Sequence, residues 1–276
     1  MQQHIVDQHW ECFGPAEHAV WQTLYARQMQ LLPSVACDAL VQGLAKLPLQ
    51  SDQIPHFGRL SDALQRLNGW SVVAVEGLVP DAVFFDMLAQ RIFPAGNFIR
   101  GADQLDYLEE PDVFHDVFGH IAMLTHPVMA DFMQLYGQAG YKAMALGRLD
   151  NLVRLYWYTV EFGLVLERGQ PRIYGAGISS SYGESRFSVH STSPHRIRFD
   201  LERVMRTDFR IDDYQPTYFV LDKLEDLLAL EHIDFGPLYE RLGTGPTYSP
   251  NAVQPSDTVL HHGDGSYHRS KLEAVC

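Results

Sequence analysis

The sequence predicts a single domain that is mainly α with minor β. Three observations predict it. Apolar residues recur at helical spacing through most of residues 10–240, only short β-branched runs interrupt them, and neither an internal repeat nor a break in composition divides that stretch. At 276 residues, 46% hydrophobic and 20% charged, the chain can bury a substantial core.

Residues 1–14 read as a flexible arm. Pro15 then opens a helix with Val20, Leu24 and Met29 among its apolar positions, ending near Pro33. A second helix over 34–46 takes Ser34 as its N-cap, and a third over 60–67 stops at Asn68-Gly69. Residues 70–75 are β-branched and predict a strand. Pro80 opens a helix that runs to about 92 and is closed by Pro94-Ala95-Gly96. Pro111 stands at the first turn of a helix carrying DVFHDVFGH, and longer helices are expected over 127–146 and 150–168. A short strand over 172–174 runs into the Gly175-Ala176-Gly177 turn. Helices over 199–206 and 222–231 and a strand over 217–221 complete a catalytic domain spanning 15–242. Beyond it, residues 243–276 are rich in Gly, Pro, Ser and His and predict a poorly ordered tail.

The net charge of −13 argues against a nucleic-acid or anionic-membrane partner, since both are polyanions. One basic cluster (Arg196, Arg198, Arg203, Arg206, Arg210) is interleaved with acids and reads as a solvated helix face. Cys12, Cys37 and Cys276 are odd in number and widely spaced, which fits a reducing compartment. The N-terminus lacks a basic start followed by an apolar run, and the longest apolar stretch, 155–166, is too short to span a bilayer. A soluble cytoplasmic protein is expected.

His115 and His120 are the first candidates for chemistry. Five residues apart, they lie roughly 140° apart on an ideal helix, so Gly119 between them is expected to relax or end the helix. Glu161 sits in the apolar run LYWYTVEFGLVL, where an ionised carboxylate needs a partner. Arg154 or Arg168 could pair with it, but two histidines elsewhere make a metal site the better explanation. Two His and one carboxylate suit open-sided Fe(II) oxygenases and also catalytic zinc, so the triad alone leaves both metals open. Trp157, one helical turn before Glu161, is either core or the wall of an aromatic pocket. Asp112 and Asp116 orient a ligand, bind a second reactant, or simply favour the helix N-terminus electrostatically. Arg100 suits capture of an amino-acid carboxylate.

The segments EEPDVFHDVFGH, RLYWYTVEFGL and IYGAGISSS closely resemble the catalytic domain of the pterin-dependent aromatic amino acid hydroxylases, in matching order and spacing across about residues 15–240. The resemblance implies that fold and a mononuclear non-haem Fe(II) held by His115, His120 and Glu161, with tetrahydropterin and O2 as co-substrates. It implies that Phe84 stacks on the pterin, that Gly77, Leu78 and Val79 border it, and that Asp116 lies near its polar edge. It matches Arg100 to the substrate carboxylate and Asp112 to holding that arginine. Trp157, Pro111, Tyr107, Gly177 and Ser180 match pocket residues, and Tyr156 an active-site tyrosine near the iron. The chain is similar to compact bacterial members, which are monomers acting on L-phenylalanine. Departures fall at Leu108, Ser179, Asp81 and Pro94, which puts a substrate contact, pocket shape and pterin affinity in question.

Trp157 favours phenylalanine, because an indole wall leaves room for a benzyl group and crowds a second indole; one such side chain shifts preference by about 1–3 kcal/mol. Within the family the rivals are tryptophan 5-hydroxylation and phenylalanine 3-hydroxylation. From another class, a His2Glu zinc hydrolase lacks the expected HExxH helix, and a closed structural metal site lacks a fourth ligand. His126 reads as a loop histidine.

Overall fold

The computed structural model describes residues 2–106 and 110–275. Helices take 54% of the chain and strands 13%, the balance that the helical periodicity predicts. Strand β1 (Ile5–Val6) leads to α1 (Pro15–Val35), α2 (Asp38–Lys46) and α3 (Phe57–Asn68), then β2 (Ser71–Val75), α4 (Asp81–Ala89) and β3 (Ile92–Gly96). β1 pairs antiparallel and β3 parallel with β2, giving a small three-stranded sheet.

Within the expected flexible arm, Ile5–Val6 therefore form an edge strand. Gln8 locks it, accepting from the Phe57 amide at 2.8 Å and donating to the Pro55 carbonyl at 3.0 Å. Ser34 is not an N-cap. It lies inside α1 and donates to the Leu31 carbonyl, and α2 starts later because the Cys37 amide is taken by the Ile173 carbonyl at 2.9 Å. The residues expected to close a helix at Pro94 instead form β3, an edge strand, where a missing N–H is tolerated.

The middle of the chain carries α5 (Val113–His115), a π turn (Asp116–Ile121), α6 (Ala122–Leu124) and α7 (Pro127–Ala145), then α8 (Leu149–Tyr156) and a second π turn (Trp157–Glu161). The helix expected to reach 168 ends at Glu161. Residues 164–167 become β4 (Leu164–Glu167), since a short apolar run reads alike as helix or buried strand and pairing decides it. β4 is antiparallel to β5 (Gln170–Ile173); after α9 (Ala176–Ser179) and α10 (Tyr182–His190) come β6 (His195–Arg198), α11 (Leu201–Met205) and β7 (Thr217–Leu221). A 3-10 helix (Leu224–His232), α12 (Phe235–Thr244), β8 (Val259–His261) and α13 (Ser266–Val275) follow, and the second sheet has the order β5-β4-β7-β6-β8.

Residues 243–275 thus belong to the fold, contrary to the expected poorly ordered tail. Part of the basic cluster explains why: Arg196, Arg203 and Arg206 are buried, while Arg198 and Arg210 stay at the surface as expected, with side chains 45% and 37% exposed. Arg203, 6% exposed, pairs with Asp257 at 2.9 Å, and Arg206 donates to the Arg241, Leu242 and Pro246 carbonyls. Arg196 satisfies the Ser188 and Ser191 carbonyls. Arg203 and Arg206 are thus buried polar anchors for the C-terminal segment.

One aromatic cluster positions the histidine helix. Trp21 of α1, fully buried, meets Phe114 and Phe118 edge-on at 5.5 and 5.8 Å, and those two rings stack at 4.4 Å. Phe114 and Phe118 hold one face of the helix in the core, which leaves His115 and His120 to another.

Candidate metal centre

Both ligand-bearing helices switch to π geometry at the site. The Ala122 amide bonds to the Val117 carbonyl and the Phe162 amide to the Trp157 carbonyl, each five residues back. That i→i+5 pattern sets residues five apart one above the other, so His115 and His120 converge where an α-helix would splay them. The helix thus relaxes at Gly119 as expected, and that glycine has a second task. A Cβ there would lie 2.5 Å from the Ala176 Cβ, so glycine admits α9 hard against the histidine turn. Gly175 does the same on the other side, where a Cβ would lie 2.3 Å from the Glu161 carbonyl oxygen.

His115 Nε2 and His120 Nε2 approach to 3.1 Å, and the Glu161 oxygens stand 3.1 Å from His120 Nε2 and 3.7 Å from His115 Nε2. Among the described residues these three form the only group of three or more His, Cys, Asp or Glu side chains whose ligand atoms converge within 4.8 Å. The arginine alternative is excluded: Arg154 is paired with Asp208 at 2.8 Å and Arg168 with Asp38 at 2.6 Å.

The ligands are oriented by α9. The Ser180 hydroxyl donates to the Ala176 carbonyl at 2.9 Å, so it accepts from His115 Nδ1–H, also at 2.9 Å, and leaves Nε2 with its lone pair. The Gly177 backbone lies against the Glu161 carboxylate, close enough that a Cβ there would stand 3.1 Å from its Oε2, and favours its charged form. Burial drives the His115 pKa down to about 4 against the pull of Glu161. For His120, Glu161's charge and hydrogen bond outweigh burial and raise it. Burial would also raise Glu161, but the two histidines hold it below the usual range. A neutral imidazole nitrogen, a second imidazole and an ionised carboxylate, with Arg154 and Arg168 paired elsewhere, fit a divalent cation of the two-histidine, one-carboxylate kind.

Around this triad, Asp112 grips Arg100 through Nε at 2.8 Å and Nη2 at 2.9 Å, and accepts from the His115 amide at 3.0 Å. Burial works against the charge of Asp112, and Arg100 overcomes it, so its carboxyl lies below the usual range. One carboxylate therefore ties the arginine to the backbone of a ligand. Pro111 directly precedes it. Trp157 stacks on Phe209 at 4.6 Å and leans on Phe162 at 5.3 Å. Tyr107 and Leu108 lie outside the described residues.

Elsewhere around the triad, Phe84 of α4 meets Tyr156 edge-on at 6.0 Å, and Tyr156 stacks on His120 at 6.2 Å and 30°. Burial, then Glu161, keep the Tyr156 hydroxyl protonated far above its ordinary range. Asp116 accepts from the Gly96 amide at 2.7 Å, and burial pushes it up to about 7. Gly77, Leu78 and Val79 form the loop between β2 and α4, with Leu78 80% exposed. Ser179 turns away into the core, its carbonyl held by Gln28. His126 serves as the residue before α7. Sequence reasoning missed Phe209, the ring behind Trp157, since nothing local marks a partner 52 positions away. It also missed Phe93, whose ring lies 5.0 Å from His120.

The family model described as biopterin-dependent aromatic amino acid hydroxylase matches residues 12–233. The chain belongs to this family. As a hydroxylase of this group, it is 56% identical over 262 residues to phenylalanine-4-hydroxylase of Caulobacter vibrioides, covering 95% of this chain and 89% of that protein. Among solved structures, phenylalanine hydroxylase from Chromobacterium violaceum bound to cobalt superposes with a TM-score of 0.91 at 48% identity, with 93% of each chain covered. The iron- and phenylalanine-bound form of that enzyme gives 0.89 at 46%, covering 93% of this hydroxylase and 94% of the other chain.

Proposed function

We propose that this hydroxylase converts L-phenylalanine to L-tyrosine, consuming O2 and a tetrahydropterin at one Fe(II) held by His115, His120 and Glu161. The convergence of those three donors, with no fourth protein ligand among the described residues, carries the reading. Bound there, the iron supplies the redox chemistry that lets the pterin's electrons activate O2.

The side chains bind and orient. Arg100, fixed by Asp112 and 5% exposed, presents a rigid guanidinium to the amino-acid carboxylate. Trp157, Pro111, Gly177 and Ser180 line the pocket, and the indole leaves space for a benzyl group. Phe84 stacks on the pterin, Gly77, Leu78 and Val79 border it, and Asp116 accepts from its polar edge. Tyr156 stays a neutral donor beside Glu161. The acidic surface supports small-molecule partners and no nucleic-acid or membrane partner, and among the described residues no helix is long and apolar enough to cross a membrane. We read the enzyme as a cytoplasmic monomer, which sedimentation would test.

The decisive assay combines purified protein, Fe(II), tetrahydropterin, O2 and phenylalanine, with products separated by chromatography. Tyrosine is expected; meta-tyrosine would reassign ring position, and no hydroxylated product from phenylalanine or tryptophan would overturn the proposal. Glu161→Ala should abolish turnover while circular dichroism stays native.

A further inference from the structure

The C-terminal helix α13 lies outside the family match, which ends at residue 233, yet it reaches the substrate pocket through one connection. Phe209, stacked on Trp157 at 4.6 Å with an interplanar angle of 18°, opens the segment 209–215 between α11 and β7. That segment has little regular structure of its own, so its position depends on what grips it. Gln215 closes it, accepting from the Arg210 amide at 3.0 Å and donating to the Arg210 carbonyl at 2.5 Å.

α10 adds a hold, the Gln215 amide donating to Glu184 Oε1 at 3.4 Å, and α13 adds a further one. The Tyr267 hydroxyl and Lys271 Nζ each donate to Asp213 Oδ1 at 2.8 Å, and this carboxylate is 8% exposed. The Tyr267 ring stacks on Tyr214 at 5.3 Å and 15°, and His268 Nε2 meets the Tyr214 carbonyl at 2.9 Å. Phe187 of α10 packs against both rings, at 5.0 Å from Tyr214 and 4.9 Å from Tyr267. Three residues on one helix thus hold two consecutive residues of the segment that backs the indole.

We infer that α13 is a specificity element: it fixes segment 209–215, and through Phe209 it sets how tightly Trp157 closes on the substrate ring. Tyr267 and Lys271 are positioning residues that touch neither substrate nor metal ligands. The inference rests on Trp157 being the pocket wall, as proposed above.

Steady-state kinetics of the iron-loaded full chain with phenylalanine and with tryptophan tests it. Tyr267→Leu should raise KM for phenylalanine about threefold to tenfold and raise the tryptophan-to-phenylalanine ratio of kcat/KM, with kcat and iron stoichiometry unchanged. Tyr267→Phe, which keeps the stack, should recover most of the shift, and a Phe209→Leu background should remove it, as expected for coupled residues. Unchanged KM and ratio in folded Tyr267→Leu, or a joint fall of kcat, iron content and Tm, overturns the inference. Should Tyr267→Leu not fold, Lys271→Met at a half-exposed site takes its place: the same shift in KM and ratio supports the role of α13, and unchanged values overturn it. Trp157→Phe in parallel separates the two claims. A shift there without one at Tyr267 sinks the role of α13 alone, and no shift at either sinks the pocket reading as well.

Discussion

Ser180 Oγ spends its proton on a backbone carbonyl and its lone pair on a ligand imidazole, so one hydroxyl sets the tautomer of His115. Ser180→Ala should therefore weaken iron binding about 10- to 100-fold, measured by chelator competition, with kcat largely recovered at saturating Fe(II). Trp157→Phe should raise turnover of tryptophan relative to phenylalanine, read as competing kcat/KM values; an unmoved ratio refutes the pocket assignment. Glu161 was legible in the sequence because a carboxylate inside an apolar run demands a cation. The work of Ser180 was not, because it exists only through a contact spanning 65 positions. The basic cluster deceives for a related reason: alternating charges look alike on a wet face and in a buried network, and only the third dimension separates Arg203 from a solvated arginine.

Among the elements, helices bounded by proline or glycine were the most legible, α1, α3 and α7 above all, since capping chemistry is local. β3 and β4 were not, because partner strands decide them. The π turns were equally hidden, and the sequence registered them only as histidines at an awkward spacing. Helix α10 was missed altogether, and it carries a buried acid. Glu184 accepts from the Tyr218 hydroxyl at 2.7 Å, yet burial raises its pKa from 4.5 to about 7. The fold thus prefers the protonated form. The stability this contributes is full below pH 4.5 and is lost as pH rises through about 7. Glu184→Gln keeps a neutral hydrogen-bonding side chain, so its stability relative to the parent should improve by roughly 1–3 kcal/mol between pH 5 and pH 8.5 in urea unfolding. An equal difference at both pH values would rule this out.

At the scale of the molecule, the buried Arg203–Asp257 pair joins the body of the fold to its C-terminal segment, with side chains 5% and 2% exposed. Removing one partner leaves an uncompensated charge, so Asp257→Ala should cost about 3–5 kcal/mol in denaturant unfolding. Arg203→Met combined with Asp257→Leu should recover most of that, since the charge goes with its partner. Composition alone hid this pin: Gly-, Pro- and His-rich sequence shows no periodicity, and a buried ion pair across 54 positions leaves no local mark. The pin also orders events during synthesis. Both histidines and Glu161 leave the ribosome before Arg203, but Asp257 follows that arginine by 54 residues, roughly 3–10 s later at usual elongation rates. During that interval the nascent chain holds every metal ligand and an arginine with no counter-charge. The buried hydrophobic core, drawn from residues 20–242, does not need that segment, so what its arrival completes is the neutralisation of one buried arginine.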